Sequence, residues 1–198
     1  MNKKMLATFT ILIFALAITG YAYSTWIKTI NIQGTLNMAE FKIYIQDYNN
    51  TKAQLSTDNH TLTITDTITP GQTNWTGIII KNNGTTPATI TYLITTNDPE
   101  AEKWFLNATY FYGSYQETDD ISAVWDKAAT IPPSEGSSSP PELPSKNKQV
   151  VWQNITLDIN CPLDAFTTIK ITVAYTATFS SWTDTVYVIY NLTFQPPP

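Results

Sequence analysis

Seven asparagines are each followed two residues later by a threonine: Asn49, Asn59, Asn74, Asn83, Asn107, Asn154 and Asn191. In an exported protein the N-x-T spacing marks an acceptor of N-linked glycan, which sits on the outer surface. With 15 Asn and 44 Ser plus Thr in 198 residues, random placement would give roughly three such triplets. The excess points to glycosylation, although threonine-rich strands beside turn asparagines also generate the pattern.

Other reactive groups are sparse. His60 is the only histidine and lies inside a triplet, which argues against a metal centre or a histidine-based triad. No G-x-S-x-G, glycine-rich phosphate loop or cysteine pair occurs. Carboxylates gather at Asp98, Glu100 and Glu102 and at Asp119 and Asp120, but their number and spacing match no calcium loop, so they are read as solvated acidic loops. The lone Cys161 cannot form an internal disulfide and is read as a small buried hydrophobe, with a cross-link between subunits as its other use. Lysine beside Asn or Asp can form isopeptide cross-links, but the sequence names no pair. The six tryptophans, Trp26, Trp75, Trp104, Trp125, Trp152 and Trp182, are scattered. They suit a core or subunit interface, with a sugar-binding platform as the alternative. No catalytic residue, cofactor or metal ligand is assigned, and the chain is read as a non-enzyme.

The elements that must position these residues follow a period of two. In TLTITDTI, Leu62, Ile64 and Ile68 share one face and Thr61, Thr63, Thr65 and Thr67 the other. In TTIKITVAYTATF, Ile169, Ile171, Val173, Tyr175, Ala177 and Phe179 alternate with Thr168, Lys170, Thr172, Thr176 and Thr178. Such alternation predicts half-buried strands. Further strands are predicted near 36–46, 75–81, 88–96, 108–115, 149–159 and 183–194. Turn signals at Pro70-Gly71, Asn82-Asn83-Gly84, Asn97-Asp98-Pro99 and Ser180-Ser181 separate them. This predicts an all-β antiparallel sandwich. No long stretch after the N-terminal segment carries a helical period, and residues 98–106 have room for one short turn. The Pro/Ser-rich residues 130–148 are predicted to form an exposed loop insertion, either a contact between filaments or a tolerated excursion.

The chain opens with Lys3 and Lys4, an apolar run over residues 5–19 broken only by threonines, and Gly20-Tyr21-Ala22. This predicts a signal peptide, residues 1–22, cleaved between Ala22 and Tyr23. The eighteen residues 5–22 also approach the lower limit for a membrane span. A retained helix, or an archaeal type IV pilin leader cut near Lys4, is the competing reading. Cleavage would leave 198 − 22 = 176 residues, enough for one domain, with 11 − 2 = 9 lysines, no arginine and 16 acids, a net charge of −7. That balance argues against nucleic acid or an anionic membrane as partner. Contact with a membrane would come only through the signal peptide. The mature chain would begin with a strand-like segment, residues 23–34, carrying apolar Trp26, Ile30 and Ile32 before Gly34. Such a segment either donates itself to a neighbouring copy or forms an ordinary first strand of its own domain. Lys28 and Thr29 break its alternation and leave its register open.

Two stretches carry a family resemblance: GYAYSTWIKTINIQGTLNMAEFKI directly after the apolar run, and TITPGQTNWTGIIIKNNGTTPATITYLI with its Pro-Gly and Asn-Gly turns. Together they resemble the TasA/camelysin family of biofilm filament proteins and the related archaeal bundling pili and threads. The resemblance implies a jelly-roll-like or immunoglobulin-like sandwich, residues 35–198, that lacks one strand. It also implies head-to-tail polymerisation by donor-strand complementation, with copies of the chain itself as partners. Trp26, Ile30 and Ile32 would then be the donor anchors and Gly34 the hinge. The implied setting is a secreted, N-glycosylated cell-surface filament for adhesion or biofilm. A monomeric glycan-binding sandwich is the alternative from another class.

Overall fold

A computed structural model describes residues 40–128 and 142–196, within a compact unit spanning Ala39–Pro198. The Ala22–Tyr23 junction, Trp26, Ile30, Ile32 and Gly34 lie outside the described residues, as does most of the Pro/Ser-rich stretch. Alternating sequence becomes strand as expected. Leu62, Ile64 and Ile68 are fully buried in β3 (Thr61–Ile68), and Ile171, Val173, Tyr175 and Ala177 in β9 (Thr168–Phe179).

Two sheets enclose the core. The four-stranded sheet has the order β1 (Ile43–Asn49), β4 (Thr73–Asn82), β8 (Lys148–Leu157), β6 (Phe105–Tyr115), all antiparallel. The six-stranded sheet has the order β2 (Ala53–Leu55), β3, β10 (Trp182–Phe194), β9, β5 (Ala88–Thr96), β7 (Glu142–Leu143). Strands β1-β4-β8-β6 facing β5-β9-β10 reproduce the two-sheet order of a constant-type immunoglobulin domain. The fold is therefore an immunoglobulin-like all-β sandwich.

The expectation of a wholly antiparallel sandwich needs one correction: β3 runs parallel to β10, from Tyr187 opposite Thr61 to Phe194 opposite Ile68. The chain lays β1 in one sheet and crosses to the other before β3, which sets that direction. A second correction concerns the implied missing strand. The last strand, β10, pairs on one side with β9 and on the other with β3. Its inward residues Val186, Val188, Tyr190 and Leu192 are fully buried. The chain's own C-terminal alternation fills that place.

The boundaries differ in particular places. The first described strand starts at Ile43, later than the predicted 36. The predicted loop at 130–148 is already sheet at Glu142–Leu143, because Leu143 is drawn into the core and pairs with Ala88. A helix absent from the sequence reading, α2 (Ile121–Ala128), follows the short turn α1 (Pro99–Glu102). At eight residues α2 is too short to display a period, but it has a purpose. Strands β4 and β8 are buried on both faces and need cover outside as well as inside. Val124 and Ile121 of α2, with Trp75, Tyr110 and Trp125, cover Ile79, Val150 and Trp152 on the outer face. The Trp125 indole donates to Asp47 Oδ2 at 2.7 Å, fastening the helix to β1.

This outer cluster explains Gly77 in mid-strand. A Cβ there would stand 2.9 Å from both the Trp125 and Trp152 rings. The inner face carries a polar crossbar at the neighbouring step. Thr76, Gln153 and Thr109 face one another in register across β4, β8 and β6. Gln153 Oε1 accepts from Thr109 Oγ1 at 2.5 Å and from the Tyr175 hydroxyl of the opposing sheet at 3.0 Å. Thr76 Oγ1 accepts from Asn50 Nδ2 at 2.9 Å. Burial raises the Tyr175 phenol well above its ordinary pKa. A one-residue slip of β8 would turn Trp152 or Asn154 onto the inner face in place of Gln153 and break these bonds.

Two stability predictions follow from this packing. Gly77→Ala is expected to cost about 1–3 kcal/mol through overpacking, measured as a lowered midpoint in urea with an unchanged slope. Gln153→Leu is expected to destabilise although it adds apolar surface, by about 1–3 kcal/mol for each donor left buried. An unchanged midpoint for Gln153→Leu would remove the crossbar from the account.

Candidate functional site: acceptor asparagines, a polar clasp and an open edge

The fold sorts the seven N-x-T asparagines by exposure. Asn49 ends β1, Asn59 occupies a left-handed turn position (φ 60°), and Asn107 lies on edge strand β6; all three are exposed. Asn83 is half-buried in the β4–β5 turn, where its carbonyl accepts from Lys146 Nζ at 2.6 Å. It shares a shallow depression with Asn59, lined also by Lys42, Tyr44 and Asp58. Asn191 is half-buried on the outer face of the six-stranded sheet, opposite Lys170 on β9 and Thr65 on β3. Asn154 is half-buried, its side-chain oxygen accepting from the Ala108 amide at 2.8 Å.

Asn74 departs from the expectation of a surface site. It is 8% exposed, and its Nδ2 donates to Asp66 Oδ2 at 3.0 Å. Asp66 shares the inward phase of Leu62, Ile64 and Ile68, and its other oxygen, Oδ1, is bonded to Lys52 Nζ. One carboxylate thus clasps an amide of the four-stranded sheet and an ammonium from the β1–β2 connection. A carboxylate at an inward position is the sequence signal for this clasp; the lysine and asparagine become visible only once the sheets are stacked.

One acid of each acidic group caps a helix, and Glu100 and Glu102 are exposed. The Asp98 side chain accepts from the amides of Glu100 and Ala101 at the start of α1. Asp120 does the same for α2, accepting from the Ser122 amide at 2.8 Å. Hydrogen bonds from the Ser122 hydroxyl and amide hold the Asp120 carboxyl below its ordinary pKa. His60 sits between the Asp58 carbonyl, 2.7 Å from Nδ1, and Asp184, 3.6 Å from Nε2. Asp184 also accepts from the Ile43 amide at 2.8 Å, so this group ties the start of β1 to β10. Cys161 is 5% exposed, and burial raises its thiol pKa. Among the described residues no three His, Cys, Asp or Glu side chains gather closely enough to hold a metal ion. Nor is any helix among them long and apolar enough to cross a membrane.

The tryptophans do not assemble a sugar platform among the described residues. Trp152 is fully buried beneath Trp125, with ring centroids 5.7 Å apart, and Trp75 packs against Tyr110. Trp182, at the tip of the β9–β10 hairpin, is the exposed one.

A different feature lies at the edge of the six-stranded sheet. Strand β5 pairs with β9 from Thr89 to Thr96, but on its other side β7 reaches only Ala88 and Thr89. Among the described residues, positions 90–96 have no strand on that side. Leu93 on this edge is 64% exposed, and the neighbouring Tyr92, which packs on Phe111, is 38% exposed. Long unpaired edges flanked by apolar side chains are templates for another strand.

The geometry defines an immunoglobulin-like sandwich with, among the described residues, an open edge at β5 and seven N-x-T asparagines. No family model and no curated protein matches the chain. Similar solved structures include a family 123 glycoside hydrolase from Clostridium perfringens, at 12% identity and a TM-score of 0.47 over 80% of this chain. The chain spans 28% of that hydrolase's length. A PapD-like domain of human CEP192 aligns over 75% of this chain and 88% of its own, at 14% identity and a TM-score of 0.37. The CooA pilin subunit of enterotoxigenic Escherichia coli aligns over 78% and 99%, at 9% identity and a TM-score of 0.34.

The sorting of asparagines predicts glycan occupancy. Glycopeptide mass spectrometry of the native protein should find sugar on Asn49, Asn59 and Asn107 and none on Asn74. Sugar on Asn74 would mean that the clasp does not form.

Proposed function

We propose that this chain is the structural subunit of an extracellular, N-glycosylated filament that polymerises head to tail by strand donation, for adhesion or biofilm. The observation that carries this reading is the open edge of β5 with exposed Leu93 and Tyr92. Residues 23–33, freed by cleavage after Ala22, are the donor. Extended, they reach about 36 Å, more than the seven positions of the edge require.

The donor's backbone groups would continue the ladder beyond β5. Trp26, Ile30 and Ile32 would cover the apolar side chains along it, each contributing about 1.5–3 kcal/mol when fully buried. Because β10 already completes the sandwich, donation here extends a sheet and fills no vacant core position. A donor and an acceptor on different parts of the same chain make a heterologous contact, and such contacts propagate into open filaments. Gly34 is the joint between donor and domain.

Deletion of residues 23–33 is expected to leave secreted monomers. Leu93→Lys, at an exposed site, should fold normally and raise the critical concentration for assembly about tenfold or more, equivalent to ~1.4 kcal/mol. Both are read by sedimentation and negative-stain microscopy. Normal filaments from the deletion would rule out donation. Normal filaments from Leu93→Lys alone would move the acceptor away from β5.

A further inference from the structure

We propose that Lys52 and Asn74 become joined by an intramolecular amide bond, with Asp66 as the catalytic residue. The three side chains come from separate parts of the fold: Lys52 from the β1–β2 connection, Asp66 from the inward face of β3, and Asn74 from β4 in the opposing sheet. They converge on one carboxylate. Asp66 Oδ1 is bonded to Lys52 Nζ, and Oδ2 accepts from Asn74 Nδ2 at 3.0 Å.

The attacking nitrogen and the leaving nitrogen thus occupy the two oxygens of the same acid. One carboxylate can then move protons from one nitrogen to the other without changing its position. The surroundings favour this. The Asp66 side chain is 9% exposed and Asn74 is 8% exposed, so little water competes for the amide carbon. The Lys52 side chain is 53% exposed and reaches the clasp over the edge of the sandwich.

The reaction balances with these groups alone. Asp66 takes a proton from the Lys52 ammonium, and the neutral Nζ attacks Asn74 Cγ to form the new C–N bond. As the tetrahedral adduct collapses, the Cγ–Nδ2 bond breaks. The lysine nitrogen gives up two protons in all, both relayed by Asp66 to the departing nitrogen, which leaves as ammonium. No oxidant, cofactor or second substrate is required. The bond would close the segment 52–74 covalently and tie β4 to the β1–β2 connection. It would restrict the unfolded chain as a disulfide does, in a protein whose single cysteine cannot form one internally.

The same amide nitrogen heads an N-x-T triplet, so the cross-link and a glycan on Asn74 exclude each other. Intact-mass spectrometry of the purified, deglycosylated protein tests the proposal, together with a tryptic digest. The expected result is a mass lower by one ammonia and a branched peptide joining Lys52 to Asn74. Lys52→Ala, Asp66→Asn and Asn74→Ala should each lack the deficit. Lys52→Ala, at a half-exposed position, serves as the folded control by circular dichroism. A wild-type protein at full mass, or with sugar on Asn74, would overturn the proposal. A deficit that persists in Lys52→Ala would also do so, since it would report a succinimide elsewhere.

Discussion

The arrangement of this domain depends on how its last strand is held. β10 lies between β9 and β3, bonded to both, and sends Val186, Val188, Tyr190 and Leu192 into the core. That placement completes the six-stranded sheet from within the chain. Under the proposed assembly, a donated strand would then add to a sheet edge, because among the described residues β10 already occupies the position between β9 and β3. Among the described residues two edges carry an exposed leucine: β5, unpaired on one side over positions 90–96 and bearing Leu93, and β6, the end strand of the four-stranded sheet, bearing Leu106.

Specificity within the sandwich comes from polar groups placed among apolar ones. The row of Thr76, Gln153 and Thr109, reached by Tyr175 from across the core, makes a shifted pairing of β4, β8 and β6 costly. At one margin of the sandwich, the Lys52–Asp66–Asn74 clasp joins the sheets again. At another, Asp184 and His60 hold the start of β1. Apolar burial supplies the driving force, and these three polar contacts select one register from several.

Much of this was legible in the residues. The alternation in 61–68, 88–96 and 168–179 gives β3, β5 and β9 with the stated boundaries, and the outward threonines lie where period two puts them. The rest failed for identifiable reasons. α2 is eight residues long and owes its existence to the second apolar face of β4 and β8, a tertiary demand with no local period. The parallel pairing of β3 with β10 depends on a change of sheet between β1 and β3, which spacing does not encode. Within the acidic groups read as solvated, Glu100, Glu102 and Asp120 are exposed as expected, while Asp98 and Asp120 also cap helices, a role set by the amides two and three residues on. The burial of Asn74 was hidden because its partner Asp66 lies in the other sheet.

The most direct test of the central claim is a helical reconstruction by electron cryomicroscopy of filaments sheared from the cell surface. The account predicts that residues 23–33 of each copy run as a strand beside residues 90–96 of its neighbour. Trp26, Ile30 and Ile32 should then lie against the apolar edge, with no hydrophobic helix at the filament axis. A first strand paired inside its own domain, or a bundle of retained N-terminal helices along the axis, would contradict it.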